Sequence, residues 1–333
     1  MRAPAFWYSD RCTIAALALM PLGWLYGWGA RVRHLFTTGK KADLPIICIG
    51  NFVAGGAGKT PVALALAALL ARERKSVGFL TRGYGGELSG PVSVIPDQHS
   101  SSDVGDEALL LANKCPTIMA RDRRAGAEKL SQTDIEVILM DDGFQNPSLH
   151  KDICLIVIDH SQGIGNGCVI PAGPLRGPVD DQISKAHGFI VIGGKLVDQN
   201  LERRLQKSGK PVFSAHLEPD EITPDLAGKK VIAFSGIGMP DKFFATLEKA
   251  GAEIIERIRF PDHHPFSQRD AQWLLGLLSD NADCLLVTTT KDYIRLKNLT
   301  GAGNELYRAS LAYGVELEFD QEKSLMEFIL KDV

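Results

Sequence analysis

The chain has 333 residues, too long for one small core, so two globular units are expected. Hydrophobic residues make up 45% and charged residues 23%, which excludes a disordered or low-complexity protein. A net charge of -3 supplies no basic footprint and argues against nucleic acid as a partner. The six cysteines (Cys12, Cys48, Cys115, Cys154, Cys168, Cys284) show no C-x-x-C spacing. Cys48, Cys154 and Cys284 lie in apolar runs, which reads as buried, reduced thiols and not as a disulfide framework or structural metal site.

Residues 12–30 contain no charge, and Arg31, Arg33, His34, Lys40 and Lys41 follow. Such a stretch, as helix, spans roughly 28 Å, borderline for a bilayer core. Pro21, Gly23, Gly27 and Gly29 argue against one straight spanning helix. Trp7, Trp24 and Trp28, with Tyr8 and Tyr26, suit the headgroup level, where an apolar ring and a polar edge both find a match. Residues 1–40 are therefore expected to form an apolar membrane-associated segment, interfacial or shallowly inserted, whose basic end meets anionic lipid. The competing expectation is an apolar helix packed on the protein's own core.

The apolar run 46–49 enters the glycine-rich Gly55-Gly-Ala-Gly-Lys-Thr60, and an Ala/Leu helical pattern covers residues 61–74. This order of strand, turn and helix is that of the phosphate-cradling P-loop. Backbone N–H groups of Gly55, Gly56, Ala57 and Gly58 converge on phosphate oxygens, helped by the helix N-terminus. Lys59 is placed for the β/γ phosphates and Thr60 for Mg²⁺. Val53 stands where the consensus has Gly.

Further apolar strands are predicted at 76–81, 92–95, 116–119, 137–140, 153–158 and 189–192, with helices at 105–113 and after Arg121-Asp-Arg-Arg124. The alternation predicts a P-loop NTPase-like, doubly wound, mostly parallel α/β sheet over residues 41–218. A polar stretch at 218–230 leads to a second, smaller α/β domain, residues 219–333. It begins with a strand at 231–234 and a helix at 241–249, and Ser267 is predicted as the N-cap of a helix reaching Leu278. A strand at 284–287 ends in Thr288-Thr-Thr-Lys-Asp292.

The run ending in Asp141-Asp142 reads as a Walker-B strand delivering carboxylates to the metal and phosphates. The sequence does not separate the two aspartates. Asp106 and Glu107 start a helix, where acids also suit the macrodipole. Phe260-Pro-Asp-His-His-Pro-Phe266 supplies His263, and a carboxylate paired with histidine is a competent proton acceptor. Arg176, in the rigid loop Pro171-Ala-Gly-Pro-Leu-Arg176, is a candidate phosphate-stabilising cation, as are Arg82, Arg121, Arg123 and Arg124.

Together these segments, with Pro21-Leu-Gly-Trp-Leu-Tyr-Gly27, Thr81-Arg-Gly-Tyr-Gly-Gly86, Gly105-Asp-Glu107 and Asp141-Asp-Gly-Phe-Gln145, closely resemble tetraacyldisaccharide 4'-kinase, the lipid A 4'-kinase family of Gram-negative bacteria. The resemblance covers nearly the whole chain. It implies transfer of the ATP γ-phosphate to the 4'-hydroxyl of a tetraacylated glucosamine disaccharide 1-phosphate, with Mg²⁺. It also implies peripheral attachment to the cytoplasmic face of the inner membrane, and no obligate protein partner is evident. On that reading Asp106 is the base, His263 its partner from the second domain, Lys59 and Arg176 stabilise the transferring group, and Thr60, Asp141 and Asp142 meet the metal. The chain departs from the family pattern at Asn146, where His is usual, and at Gly177, where Glu is usual.

Overall fold

The computed structural model describes residues 4–9, 13–220 and 223–333. Cys12, the His34 side chain and residues 221–222 of the polar stretch lie outside that set. Nine strands form the larger sheet: β1 Ile46–Asn51, β2 Val77–Thr81, β3 Val92–Ser93, β4 Thr117–Met119, β5 Val137–Asp141, β6 Ile153–Asp159, β7 Gly188–Ile192, β8 Val212–Pro219 and, from the far end of the chain, Val315–Phe319. The strands β9 Lys230–Ser235, β10 Glu253–Arg259, β11 Leu285–Thr289 and β12 Ser310–Tyr313 form a separate four-stranded sheet, making Val315–Phe319 β13.

The larger sheet runs β13-β8-β7-β6-β1-β5-β2-β4-β3. It is parallel except at its edges, where β13 opposes β8 and β3 opposes β4. All six residues of β1 are buried, as expected of a central parallel strand covered on both faces. Alternation splits them: Ile46 and Cys48 join one core, Ile47 and Ile49 the other. Because β5 and β6 flank β1, the strand order reverses there, and the crevice at such a reversal is where open α/β sheets bind ligands. The helix α2, Lys59–Arg72, leaves from that point and buries Val62, Ala63, Leu66 and Leu70 against the sheet.

The smaller sheet, ordered β10-β9-β11-β12, is parallel throughout and has its own core around Phe234, Phe260 and Phe266. Ser267 caps the Gln268–Asp280 helix in a reciprocal capping box with Asp270. The chain then returns to the larger sheet, because β13 pairs with β8 from Val315↔Pro219 to Phe319↔Ala215. The smaller sheet is thus inserted between two neighbouring strands of the larger one, a return that a division at residue 219 does not anticipate.

The first long helix, α1, is continuous from Ile14 to Leu35 and passes through Pro21. Ala16, Gly23 and Gly27 form its buried stripe. A Cβ on Gly23 would lie 2.7 Å from the Val169 carbonyl oxygen, so this glycine sets how closely the helix approaches the body. Arg31 pairs with Asp181 at the far end. Leu17, Leu22, Trp24, Leu25 and Trp28 point away, each more than half exposed. Among the described residues no helix is long and apolar enough to cross a membrane.

Candidate active site

At the end of β1 the buried Asn51 donates from Nδ2 to the Gly55 carbonyl at 3.2 Å, tying down the start of the glycine-rich turn. Gly58 is left-handed (φ 82°), and a Cβ there would lie 2.6 Å from the Ile192 methyl. Only glycine fits both demands. Gly58 is also the N-cap of α2, so no side chain satisfies the first-turn N–H groups, the condition for an anion site. Val53, where the consensus has Gly, bridges to Leu175 and is buried; Ala54 N donates to Pro174 O at 2.8 Å. The proline–glycine loop is thereby laced to the glycine-rich turn, and Arg176 donates from Nε to Val53 O at 3.1 Å.

Arg176 Nη1 reaches Asp142 Oδ1 at 2.8 Å, and Lys59 Nζ lies 3.7 Å from the same oxygen. Burial would raise Asp142, but Lys59 and Arg176 hold it below the usual carboxylate range. Asp141 is different. It is 1% exposed, and neither carboxylate oxygen has a hydrogen-bond partner. Burial first, then Glu107, pushes its pKa up to about 7, against the pull of Lys59 and Lys291. A buried carboxylate without donors suits a divalent cation, so the residues present fit Mg²⁺. No group of three or more His, Cys, Asp or Glu among the described residues is arranged to hold a metal by itself. That suits an ion that takes one or two carboxylates and leaves other positions for phosphate oxygens and water.

Asp106, 3% exposed, starts the Asp106–Ala112 helix. Its Oδ2 accepts from Arg295 of the Thr290–Leu296 helix, and its Oδ1 lies 3.4 Å from His263 Nδ1. His263, in the turn after β10, is left-handed (φ 56°) and contacts the Tyr84 ring at 5.4 Å between centroids. The Asp106 carboxylate raises the His263 pKa. Burial would raise Asp106 in turn, yet His263, Arg295 and Lys291 hold it far below the normal range. His263 Nδ1 also lies 3.3 Å from Arg295 Nη2, which can only donate. A protonated Nδ1 therefore serves Asp106, and a bare Nδ1 accepts from Arg295.

The expected residues gather in two groups: Lys59, Asp142 and Arg176 in contact at the turn, with Thr60 and Asp141 their chain neighbours, and Asp106 paired with His263. Three other arginines serve the framework. Arg123 is buried and donates to Asp141 O and Ala120 O, Arg121 to Gly86 O and Glu87 O, and Arg124 to Ser148 O and Thr38 O. Sequence reasoning missed Arg295 and Lys291, whose Nζ lies 2.7 Å from Glu107 Oε1. The one available signal was their spacing of four beyond the Thr288-Thr-Thr strand end, which puts both on one helix face.

A mostly parallel α/β sheet with a lysine at the glycine-rich turn beside its reversal point and paired aspartates on the neighbouring strand, joined by a carboxylate–histidine pair that bridges to the smaller sheet, has the parts a kinase needs. The chain is a member of the LpxK family, tetraacyldisaccharide-1-P 4'-kinase, whose sequence model matches residues 15–333. It is 46% identical over 316 residues to the tetraacyldisaccharide 4'-kinase of Methylobacterium radiotolerans, covering 94% of this chain and 95% of that one. To the same-named protein of Methylobacterium nodulans it is 49% identical over 299 residues, covering 89% and 88%. The crystal structure of LpxK from Aquifex aeolicus in complex with ATP is similar at a TM-score of 0.75 and 27% identity, covering 96% of this chain and 99% of that one.

Proposed function

We propose that the protein transfers the γ-phosphate of ATP to the 4'-hydroxyl of a tetraacylated glucosamine disaccharide 1-phosphate, giving the 4'-phosphorylated lipid A precursor. The observation that carries this reading is the buried Asp106 carboxylate, 3.4 Å from His263 Nδ1, in a chain that also holds Lys59 at the glycine-rich turn and the donor-less Asp141. Lys291, held by Glu107 beside Asp106, acts electrostatically on Asp106 and Asp141 alike.

Residues 55–60 hold the nucleotide phosphates through the uncapped start of α2. Thr60 and Asp141 hold Mg²⁺, which when bound draws charge from the phosphoryl oxygens. Asp142, already engaged by Arg176 and Lys59, keeps those two cations aimed at the transferring group. A sugar hydroxyl is a weak nucleophile, and its proton goes to the Asp106–His263 pair. His263, then Arg295 and Lys291, lower the basicity of Asp106, and Asp106 in turn raises the pKa of the partly exposed His263, so the pair accepts the proton as a unit. The two sheets are read as two lobes closing on this cleft. The outward face of α1 rests on the cytoplasmic leaflet of the inner membrane and keeps the acyl chains near the bilayer.

A membrane-attached ATPase switch would share the turn and α1 but has no need of the Asp106–His263 pair. Labelled γ-phosphate transfer from ATP to the tetraacyldisaccharide 1-phosphate in detergent micelles tests the reading. Labelled lipid is expected, with little ATP turnover when the disaccharide is left out. Rapid hydrolysis without it, and no labelled lipid with it, would defeat the proposal.

A further inference from the structure

Lys291 is the second residue of the Thr290–Leu296 helix, and its ammonium is held by Glu107, one position after Asp106. Arg295, one turn further on, spends its guanidinium on Asp106, on Asp292 at 2.6 Å and on the Gly236 carbonyl at 2.9 Å. Asp292 is fully buried and also accepts from Ser235 Oγ, Gly236 N and Thr289 Oγ1. The bracket that positions this helix is therefore rigid, and Lys291 rides on it. Among the described residues Glu107 is the one hydrogen-bond partner of the Lys291 ammonium, which leaves two of its three N–H groups without an acceptor. Two lysines act on Asp141: Lys59 from the larger sheet's glycine-rich turn and Lys291 from the smaller sheet's side. The phosphoryl group must travel from Lys59 to the Asp106–His263 pair. Lys291, bonded to Glu107 next to Asp106, acts on the carboxylates of both groups, Asp106 and Asp141.

We propose that Lys291 is a phosphoryl-binding lysine delivered in cis by the second lobe, parked on Glu107 and engaging the terminal phosphate of the bound nucleoside triphosphate. A compact ammonium on a flexible stem suits a group whose charge shifts during transfer. The inference rests on the kinase reading above and adds a cation to it.

The test compares ATP and ADP affinity, each with Mg²⁺ and without acceptor lipid, by titration calorimetry on the full chain. The wild type should bind ATP more tightly than ADP. Lys291→Ala and the longer Lys291→Gln should cut that preference by about tenfold, the worth of a charge-assisted contact, while ADP affinity stays within about twofold. Preserved ADP binding in either variant also reports that the fold is intact. Glu107→Gln should keep the ATP preference, because its amide oxygen can still park the lysine. An unchanged ATP-to-ADP ratio in both Lys291 variants overturns the proposal, as does an equal loss in Glu107→Gln, which would make the pair a lobe clasp only. If the wild type prefers ATP through Lys291 yet labels no disaccharide, the substrate reading fails and this one stands.

Discussion

Asp106 Oδ1 and His263 Nδ1 lie 3.4 Å apart, and the proposal that they act as a unit decides what each substitution should do. Asp106→Ala should lower kcat by more than about 10²-fold, the usual reach of a general base, with little change in the KM for ATP. His263→Ala should be milder, and the double variant should fall well short of the product of the two effects, because residues acting as a unit are not additive. Strict multiplicativity in steady-state assays would defeat the pairing. The same pair predicts a pH signature in stability. The folded pKa of His263 is raised above its ordinary 6.5, so its contribution is complete below that pH and lost as pH climbs through the raised value. Asp106 is depressed, so its own contribution holds above 3.8 and is lost only as pH falls through its lowered value. The Tm gap between wild type and His263→Gln should therefore be widest near pH 6 and narrow toward alkaline pH, as scanning calorimetry can show. Both members of the pair were legible in the sequence, one at a helix start and one in a proline-flanked turn. Arg295 was not, because a cation's usefulness depends on which helix face meets the other sheet, and no local pattern carries that.

Among the elements, the buried parallel strands β1, β2, β5, β6 and β7 were legible as apolar runs, since both of their faces are covered. The strands β8, β10 and β13 were not. Charged residues take four of the seven positions of β10 and polar ones interrupt β8 and β13, and β10 and β13 lie at sheet edges, where one side meets water and the apolar signal thins. The α1 helix shows the limit of composition most directly. Its glycines read as breakers of a spanning helix, whereas Gly23 and Gly27 are its docking stripe and its large apolar side chains face outward. This arrangement predicts two separable defects. Replacing Trp24, Leu25 and Trp28 together with Ser should weaken partition into anionic vesicles by at least about tenfold, given roughly 1.5–3 kcal/mol per fully buried large side chain, and leave the Tm nearly unchanged. Gly23→Val should instead push α1 off the Val169 carbonyl and lower the Tm. Vesicle flotation and thermal melts on the same samples separate the two. Equal partition of the triple variant and the wild type would remove α1 as the lipid-facing element.

For the molecule as a whole, ion pairs tie the two sheets together. Arg295 to Asp106, Lys291 to Glu107, Lys242 to Asp159 and Lys297 to Asp97 all cross between them. The last two are partly or well exposed and contribute little, about 0–1 kcal/mol each. Arg295 is buried with both of its carboxylates. Arg295→Met should cost about 3–5 kcal/mol in chemical denaturation, since it strands Asp106 and Asp292 without their cation. Adding Asp106→Asn should recover part of that loss, because the stranded charge is gone. A double variant no more stable than Arg295→Met would mean the cost lies in packing.

The return of β13 to the edge of β8 has a consequence for how the chain is made. Synthesis runs from the amino end, so β8 leaves the ribosome without its neighbour, and the whole smaller sheet is translated before Val315 appears. Until then β8 is an unpaired edge able to template strand addition. The inserted sheet emerges in that interval with a core of its own, and its ends are drawn together when Asp220 N and Thr223 Oγ1 both donate to the Gly314 carbonyl. A nascent chain stalled before Val315 should therefore be the aggregation-prone species in the life of this enzyme.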